Sequence, residues 1–135
     1  MHEEKIIAIV RNRFADYQFT VEKLAEEAGI GVSHLREKVH LYYKMCPQEL
    51  IETVRLENAL RLLCKNHAQS LYDVIPQCGY RYERTFLDAF EKRLGATPTV
   101  CRNALCANEA RLKNWIEKLW MNGLNGLPTE EHFGS

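Results

Sequence analysis

Apolar residues recur along most of this chain with a period near 3.6, the spacing that lines one face of a helix. Ile6, Ile7, Val10 and Phe14 predict an amphipathic helix over residues 3–15, which Asp16-Tyr17-Gln18 then breaks. Thr20 is placed to cap a second helix with its hydroxyl, and Phe19 before it is placed to pack on Leu24 as a hydrophobic staple. Gly29-Ile30-Gly31 reads as a turn, because a residue without Cβ takes a left-handed backbone at no steric cost. A third helix follows with Leu35, Val39 and Tyr42 facing inward. Cys46-Pro47 closes it and opens a fourth, since proline suits the first helical position, where its missing N–H has no partner to lose. Leu50, Ile51, Val54, Leu60 and Leu63 carry that helix from Pro47 to Cys64.

Ser70 and Asp73 resemble a capping box that starts a fifth helix ending at Gly79. Phe86, Ala89, Phe90 and Leu94 define a sixth, closed by Thr97-Pro98. Leu105, Leu112, Trp115, Ile116 and Leu119 fall on one stripe of a helix from about 103 to 121, after which Asn, Gly and Pro mark a loose end. The fold class is therefore all-α.

The pattern also repeats. Leu24–Pro47 is echoed by Val74–Pro98 at an offset of 50 residues, then 51. Leu24 answers Val74, Gly29 answers Gly79, and after a one-residue insertion Leu35 answers Phe86 and Val39 answers Phe90. Each copy is a short helix, a glycine turn and a longer amphipathic helix, which is how a helix-turn-helix is written. Two homeodomain-like units joined by a long linker helix, with an extra C-terminal helix, follow from this order. The linker would span about 27 Å, close to the roughly 34 Å of one B-DNA turn. Residues 1–102 are expected to form the tandem unit, and 103–135 an amphipathic helix and tail packed on or beside it.

Composition narrows the function. At 135 residues the chain has room for one core. It has no apolar run of about 18 residues or more and no secretory leader, so a soluble cytoplasmic protein without membrane contact is expected. Five cysteines, at 46, 64, 78, 101 and 106, contain no CxxC pair and read as reduced core thiols. No cysteine–histidine set has metal or triad spacing and no glycine-rich phosphate loop occurs, so neither enzyme chemistry nor a cofactor or metal is expected. The net charge is zero, yet it is unevenly spread. Residues 33–47 carry three cations against one anion and residues 81–102 five against three, while every other segment is net acidic. A basic face on an otherwise acidic chain is the footprint of a modest DNA binder.

From Phe19 to Arg102 the sequence resembles the DNA-binding domain of AraC/XylS-type transcription regulators. The resemblance rests on Leu24-Ala25, Gly29, Leu35, Pro47, the stretch Arg55–Leu63, Gly79-Tyr80, Phe86, Phe90, Lys92, Gly95, Thr97-Pro98 and Arg102. It implies a sequence-specific regulator that places helices three and six in adjacent major-groove segments of double-stranded DNA. The base-reading positions it implies are Ser33, Arg36 and Glu37 in the first unit, with Glu83, Arg84, Leu87 and Asp88 in the second. Arg36 and Arg84 each offer a planar fork to guanine. His34, Lys38, Lys44, Arg81, Lys92 and Arg93 are the implied phosphate contacts, which hold register without reading sequence.

Several positions depart from the family pattern. Glu37 and Asp88 stand where a basic residue is usual, Ile75 where a small alanine is customary, Lys44 where glycine is usual and Val39 where phenylalanine is. Pro76 lies inside the fifth helix and is expected to kink or widen the second unit. These departures motivate an alternative: a degenerate DNA-binding fold that serves as a protein–protein interaction module, its Trp115/Trp120 helix docking RNA polymerase or another regulator. Either way a monomer or weak dimer is expected.

Overall fold

The computed structural model describes residues 2–65 and 69–125, and within them the chain forms eight helices and no strand. They are α1 (His2–Arg13), α2 (Val21–Ala28), α3 (Val32–Tyr43), α4 (Pro47–Lys65), α5 (Leu71–Gln77), α6 (Glu83–Leu94), α7 (Pro98–Ala107) and α8 (Arg111–Asn125). The apolar residues collect into two cores. Ile6, Val10, Phe19, Leu24, Leu35 and Val39 meet Leu50, Ile51 and Val54 of α4 in the first. Val74, Ile75, Phe86, Phe90, Cys101, Leu105 and Leu119 meet Leu56, Leu60 and Leu63 of α4 in the second. One helix thus serves both units with successive turns. It is covered on nearly every side, and even Thr53, Arg55 and Glu57 are buried.

The expected caps form. Thr20 accepts from the backbone N–H of Lys23 at 3.2 Å, Ser70 from Asp73 at 3.3 Å and Thr97 from Val100 at 3.2 Å. Cys46 caps differently: the Glu49 carboxylate reaches back to accept its backbone N–H at 3.0 Å, which is half of a capping box.

Both helix-turn-helix units turn by the same hydrogen bonds. In the first, Gly29 N–H donates to Glu26 and Ile30 N–H to Ala25, each at 3.1 Å; in the second, Gly79 donates to Pro76 and Tyr80 to Ile75, each at 3.3 Å. This is a Schellman closure, in which the helix supplies carbonyls. Pro76 lacks an N–H but keeps its carbonyl, so its expected disruption is confined to the last turn of a seven-residue helix.

Three expectations need correction. The inward aromatic of α3 is Tyr43, packed on the first core, and not Tyr42. The single helix expected from about 103 to 121 is two, because α7 begins at Pro98 and ends at Asn108, whose extended backbone redirects the chain into α8. The cysteines are not all core thiols: Cys64, Cys78 and Cys101 are buried, whereas Cys46 and Cys106 are exposed. Burial pushes the Cys78 and Cys101 thiols up to about 12. The loose end from residue 126 onward lies outside the described residues.

The tryptophan helix belongs to the fold. Leu119 is fully buried, Trp115 packs on the second core and Trp120 on the first, so α8 spans both units along α4. Trp120 donates its indole N–H to Glu57 at 2.8 Å, its ring lies 5.8 Å from that of Tyr43, and the Arg11 guanidinium sits 5.9 Å from its centre.

Candidate nucleic-acid interface

The second helix of each unit presents one polar face because its apolar face is taken by a core. In α3, Leu35 and Val39 point inward, and Ser33, His34, Arg36 and Glu37 are left exposed, with Lys38 half-buried. Lys44 ends that helix in the left-handed region at φ 59°, the one non-glycine residue with positive φ among the described residues. Its ammonium donates to the Leu41 carbonyl at 3.4 Å. Gly95 holds the equivalent place after α6 at φ 74°, so the sequence departure at Lys44 leaves the turn intact but places a side chain where the backbone disfavours one.

In α6 the same logic leaves Glu83, Arg84, Asp88 and Lys92 exposed. Leu87 is half-buried and packs against the second core, so only its edge faces outward. Arg84 lies 3.9 Å from Asp88 one turn on, an exposed pair in which the carboxylate competes for the guanidinium. The repeat's own register matters here. Val32 and Glu83 both open their helices, so Arg84 answers Ser33, and Leu87 answers Arg36. The two arginines therefore stand on different turns of their helices.

Arg93 is the clear correction among the implied phosphate contacts. Its side chain is 6% exposed, pairs with Glu52 at 2.7 Å, and donates to the Thr53 hydroxyl at 2.7 Å and the Leu119 carbonyl at 3.0 Å. It joins α6 to α4 and α8 and is built into the core. The apolar period of α6 could have signalled this, since Arg93 falls a turn after Ala89 and Phe90. Arg102, counted above in the basic segment, is likewise turned inward and donates to the Gln69 carbonyl at 2.6 Å. With both removed, the exposed charges of residues 81–102 are Arg81, Arg84 and Lys92 against Glu83, Asp88 and Glu91, an even balance.

Beside α6 lies a cleft of about 590 Å³ in which Arg81, Asp88 and Lys92 meet Gln48 and Glu52 of α4 and Tyr17 of the α1–α2 connection. Arg81 stands between two aromatic rings, 5.3 Å from the centre of Tyr17 and 5.2 Å from that of Tyr82. Beneath it Arg55 is buried, donating through Nε to the Phe14 carbonyl at 2.9 Å and through Nη2 to those of Asp16 and Phe19 at 3.0 and 3.4 Å. Burial lowers the pKa of Arg55, and the nearby Tyr80 and Asp16 partly restore it. Sequence reasoning missed Tyr17, Gln48, Thr85 and Tyr82 as neighbours, for they come from elements far apart in the chain. The one local signal was an arginine flanked by two core residues, Val54-Arg55-Leu56. Among the described residues no group of three or more His, Cys, Asp or Glu side chains is arranged to hold a metal ion, and no helix is long and apolar enough to cross a membrane.

Comparison with known proteins agrees with this architecture. A family model described as a helix-turn-helix domain matches residues 24–104. The chain is 28% identical over 100 residues to histidine kinase P4 of Formosa agariphila, covering 74% of this chain and 7% of that protein. It is 28% identical over 82 residues to the virulence regulon transcriptional activator VirF of Yersinia enterocolitica, covering 61% of this chain and 30% of that one. The chain thus spans less than a third of the length of either relative. Among solved structures, the C-terminal domain of AraT, a response regulator from Geobacillus stearothermophilus, aligns with a TM-score of 0.70 at 21% identity, covering 75% of this chain and 83% of that one. With a duplicated helix-turn-helix on one shared strut and a family match across both copies, the chain belongs to the AraC/XylS-type helix-turn-helix family of DNA-binding domains.

Proposed function

We propose that the chain is the DNA-reading module of a cytoplasmic transcription regulator, with α3 and α6 entering adjacent major-groove segments. The observation that carries this reading is the pair of polar helix faces, each left open by the packing of its own unit. In it, Arg36 is the principal base reader, supported by Ser33 and Glu37; Arg84, Glu83, Asp88 and the edge of Leu87 read in the second unit. His34, Lys38, Lys44, Arg81 and Lys92 hold phosphates. Arg93 is excluded, because its guanidinium is occupied in the core. Glu37 and Asp88 suit cytosine N4, a donor that a carboxylate accepts from.

A second reading, in which α8 docks RNA polymerase or another regulator, has less support. Trp120 is engaged with Tyr43, Arg11 and Glu57, and Trp115 with the second core. Deleting the tail is no clean test between the two, since Leu119 is core and its carbonyl holds Arg93.

Selection of bound sequences from a random duplex pool, followed by footprinting, decides the matter. The expected result is a defined site covering about two helical turns, bound more weakly as salt rises. Equal binding of random and selected duplexes, or no binding at about 50 mM salt, would sink the proposal.

A further inference from the structure

The two units touch at a place other than the strut. Gly79, in the turn of the second unit, lies so close to the end of α1 that a Cβ there would sit 2.0 Å from the Phe14 carbonyl oxygen and 2.7 Å from Arg55 Nε. That same carbonyl accepts from Arg55, whose remaining bonds gather the carbonyls of Asp16 and Phe19. The Arg55 guanidinium is also 5.7 Å from the centre of the Tyr80 ring, next in sequence to Gly79. On the outer side, Tyr17 of the first unit and Arg81 of the second stack on each other.

From these contacts we infer that the Phe14–Phe19 connection, Arg55 and the Gly79–Tyr82 turn form a clasp that fixes the angle between the two helix-turn-helix units, and with it the half-site spacing the domain accepts. This rests on the DNA-binding reading above. The geometry makes the angle matter. The strut is about 28 Å long, so a rock of about 10° at one end carries the far recognition helix about 5 Å, more than the 3.4 Å rise of a base pair. α8 bridges the same units through side-chain packing and through hydrogen bonds at Trp120 and Arg93, contacts that long side chains can follow through small shifts. A carbonyl–guanidinium cage against a glycine with no room for a methyl does not adapt, because hydrogen bonds weaken steeply with angle and backbone overlap is stiff. Tyr17, Arg55 and Gly79 are positioning residues here; none is asked to touch DNA.

The test compares wild-type protein with the Tyr17→Ala variant on the selected duplex and on versions with one base pair inserted or removed between half-sites. Tyr17 is 47% exposed, so its loss should leave the fold standing, and a thermal melt followed by circular dichroism checks this. Gly79→Ala is the harsher variant and is used only if it melts cooperatively. Wild-type affinity should fall at least 10-fold on the altered spacings, and the Tyr17→Ala variant should lose less than 3-fold. A merely destabilising effect would weaken all duplexes alike and leave that ratio unchanged. An unchanged ratio in the variant, or a wild-type protein indifferent to spacing, overturns the clasp while leaving DNA binding intact. Failure of the wild-type protein to bind any duplex removes the DNA-binding reading and the clasp with it.

Discussion

The recognition helix of the first helix-turn-helix unit keeps its cations at the surface, whereas that of the second turns Arg93 inward. Around α3, Arg36 and Lys44 are exposed and Lys38 half-buried, against a single carboxylate, Glu37. Around α6, Arg93 is fixed to Glu52, Thr53 and Leu119, and Arg102 of the following α7 donates to the Gln69 carbonyl. The difference follows from position in the fold. The second unit must receive α7 and α8, and an arginine, with five N–H donors to share among neighbouring elements, is suited to that junction. The first unit receives α1, which enters its core with the apolar side chains of Ile6 and Val10, and the tip of α8 through Trp120. Duplicated motifs have thus diverged, one toward electrostatics and one toward architecture, while keeping the same Schellman turn to within 0.2 Å in its hydrogen bonds.

The turn glycines give the sharpest way to break this comparison. Gly29 and Gly79 are equivalent, at φ 77° and 89°, so alanine at either meets the left-handed penalty of about 1–2 kcal/mol. Gly29 has open space, with only the Lys5 ammonium at 3.9 Å, and Gly29→Ala should cost about 1 kcal/mol once the stiffer unfolded chain is counted. Gly79→Ala also forces a methyl into the Phe14 backbone, and should cost about 3–5 kcal/mol. Urea denaturation of both variants measures the gap. Equal losses would mean the second turn is not pressed against α1.

Next in size is the contrast between the two exposed arginines. Arg36→Ala should weaken binding to the selected site by about 2 kcal/mol and relax one base position. Arg84→Ala should cost less than about 1 kcal/mol, since Asp88 already competes for its guanidinium and the surrounding exposed charge is balanced. Anisotropy titrations at fixed salt, with each base of the site varied, provide the comparison. A larger loss at Arg84 would reverse the ranking of the units and place the main reading head on α6.

Much of this division was legible in the chain. The repeat, the caps at Thr20, Ser70 and Thr97 and the apolar stripes located α1 to α6, because each signal acts within a turn or two of its own residue. The basic segments were legible too, but their meaning was not. Whether Arg93 faces water or a core depends on Glu52 and Thr53, some 40 residues earlier, and on a carbonyl 26 residues later. The break at Asn108 is masked in the sequence because Leu105, Leu112, Trp115 and Leu119 fit one helical stripe, and the local device that divides it is a single residue, Asn108, whose side chain accepts the Ala110 backbone N–H at 3.0 Å. Stacking of Arg81 between Tyr17 and Tyr82 joins side chains that no local period relates.

The smallest effect expected is also the most direct reading of the units' divergence. Lys44 and Gly95 close the two recognition helices with the same left-handed residue, but lysine meets a steric penalty there that glycine does not. Lys44→Gly should therefore stabilise the protein, by about 0.5–1 kcal/mol after the added flexibility of the unfolded chain is set against the relieved strain. If Lys44 is held in this costly conformation for its charge, the same variant should bind DNA more weakly and lower the salt slope by about one ion. Melting curves and a salt titration on the one variant separate the two effects. A gain in stability with unchanged salt slope would mean that the first unit tolerates the strain for no electrostatic return, and that Arg36 alone distinguishes it from the second.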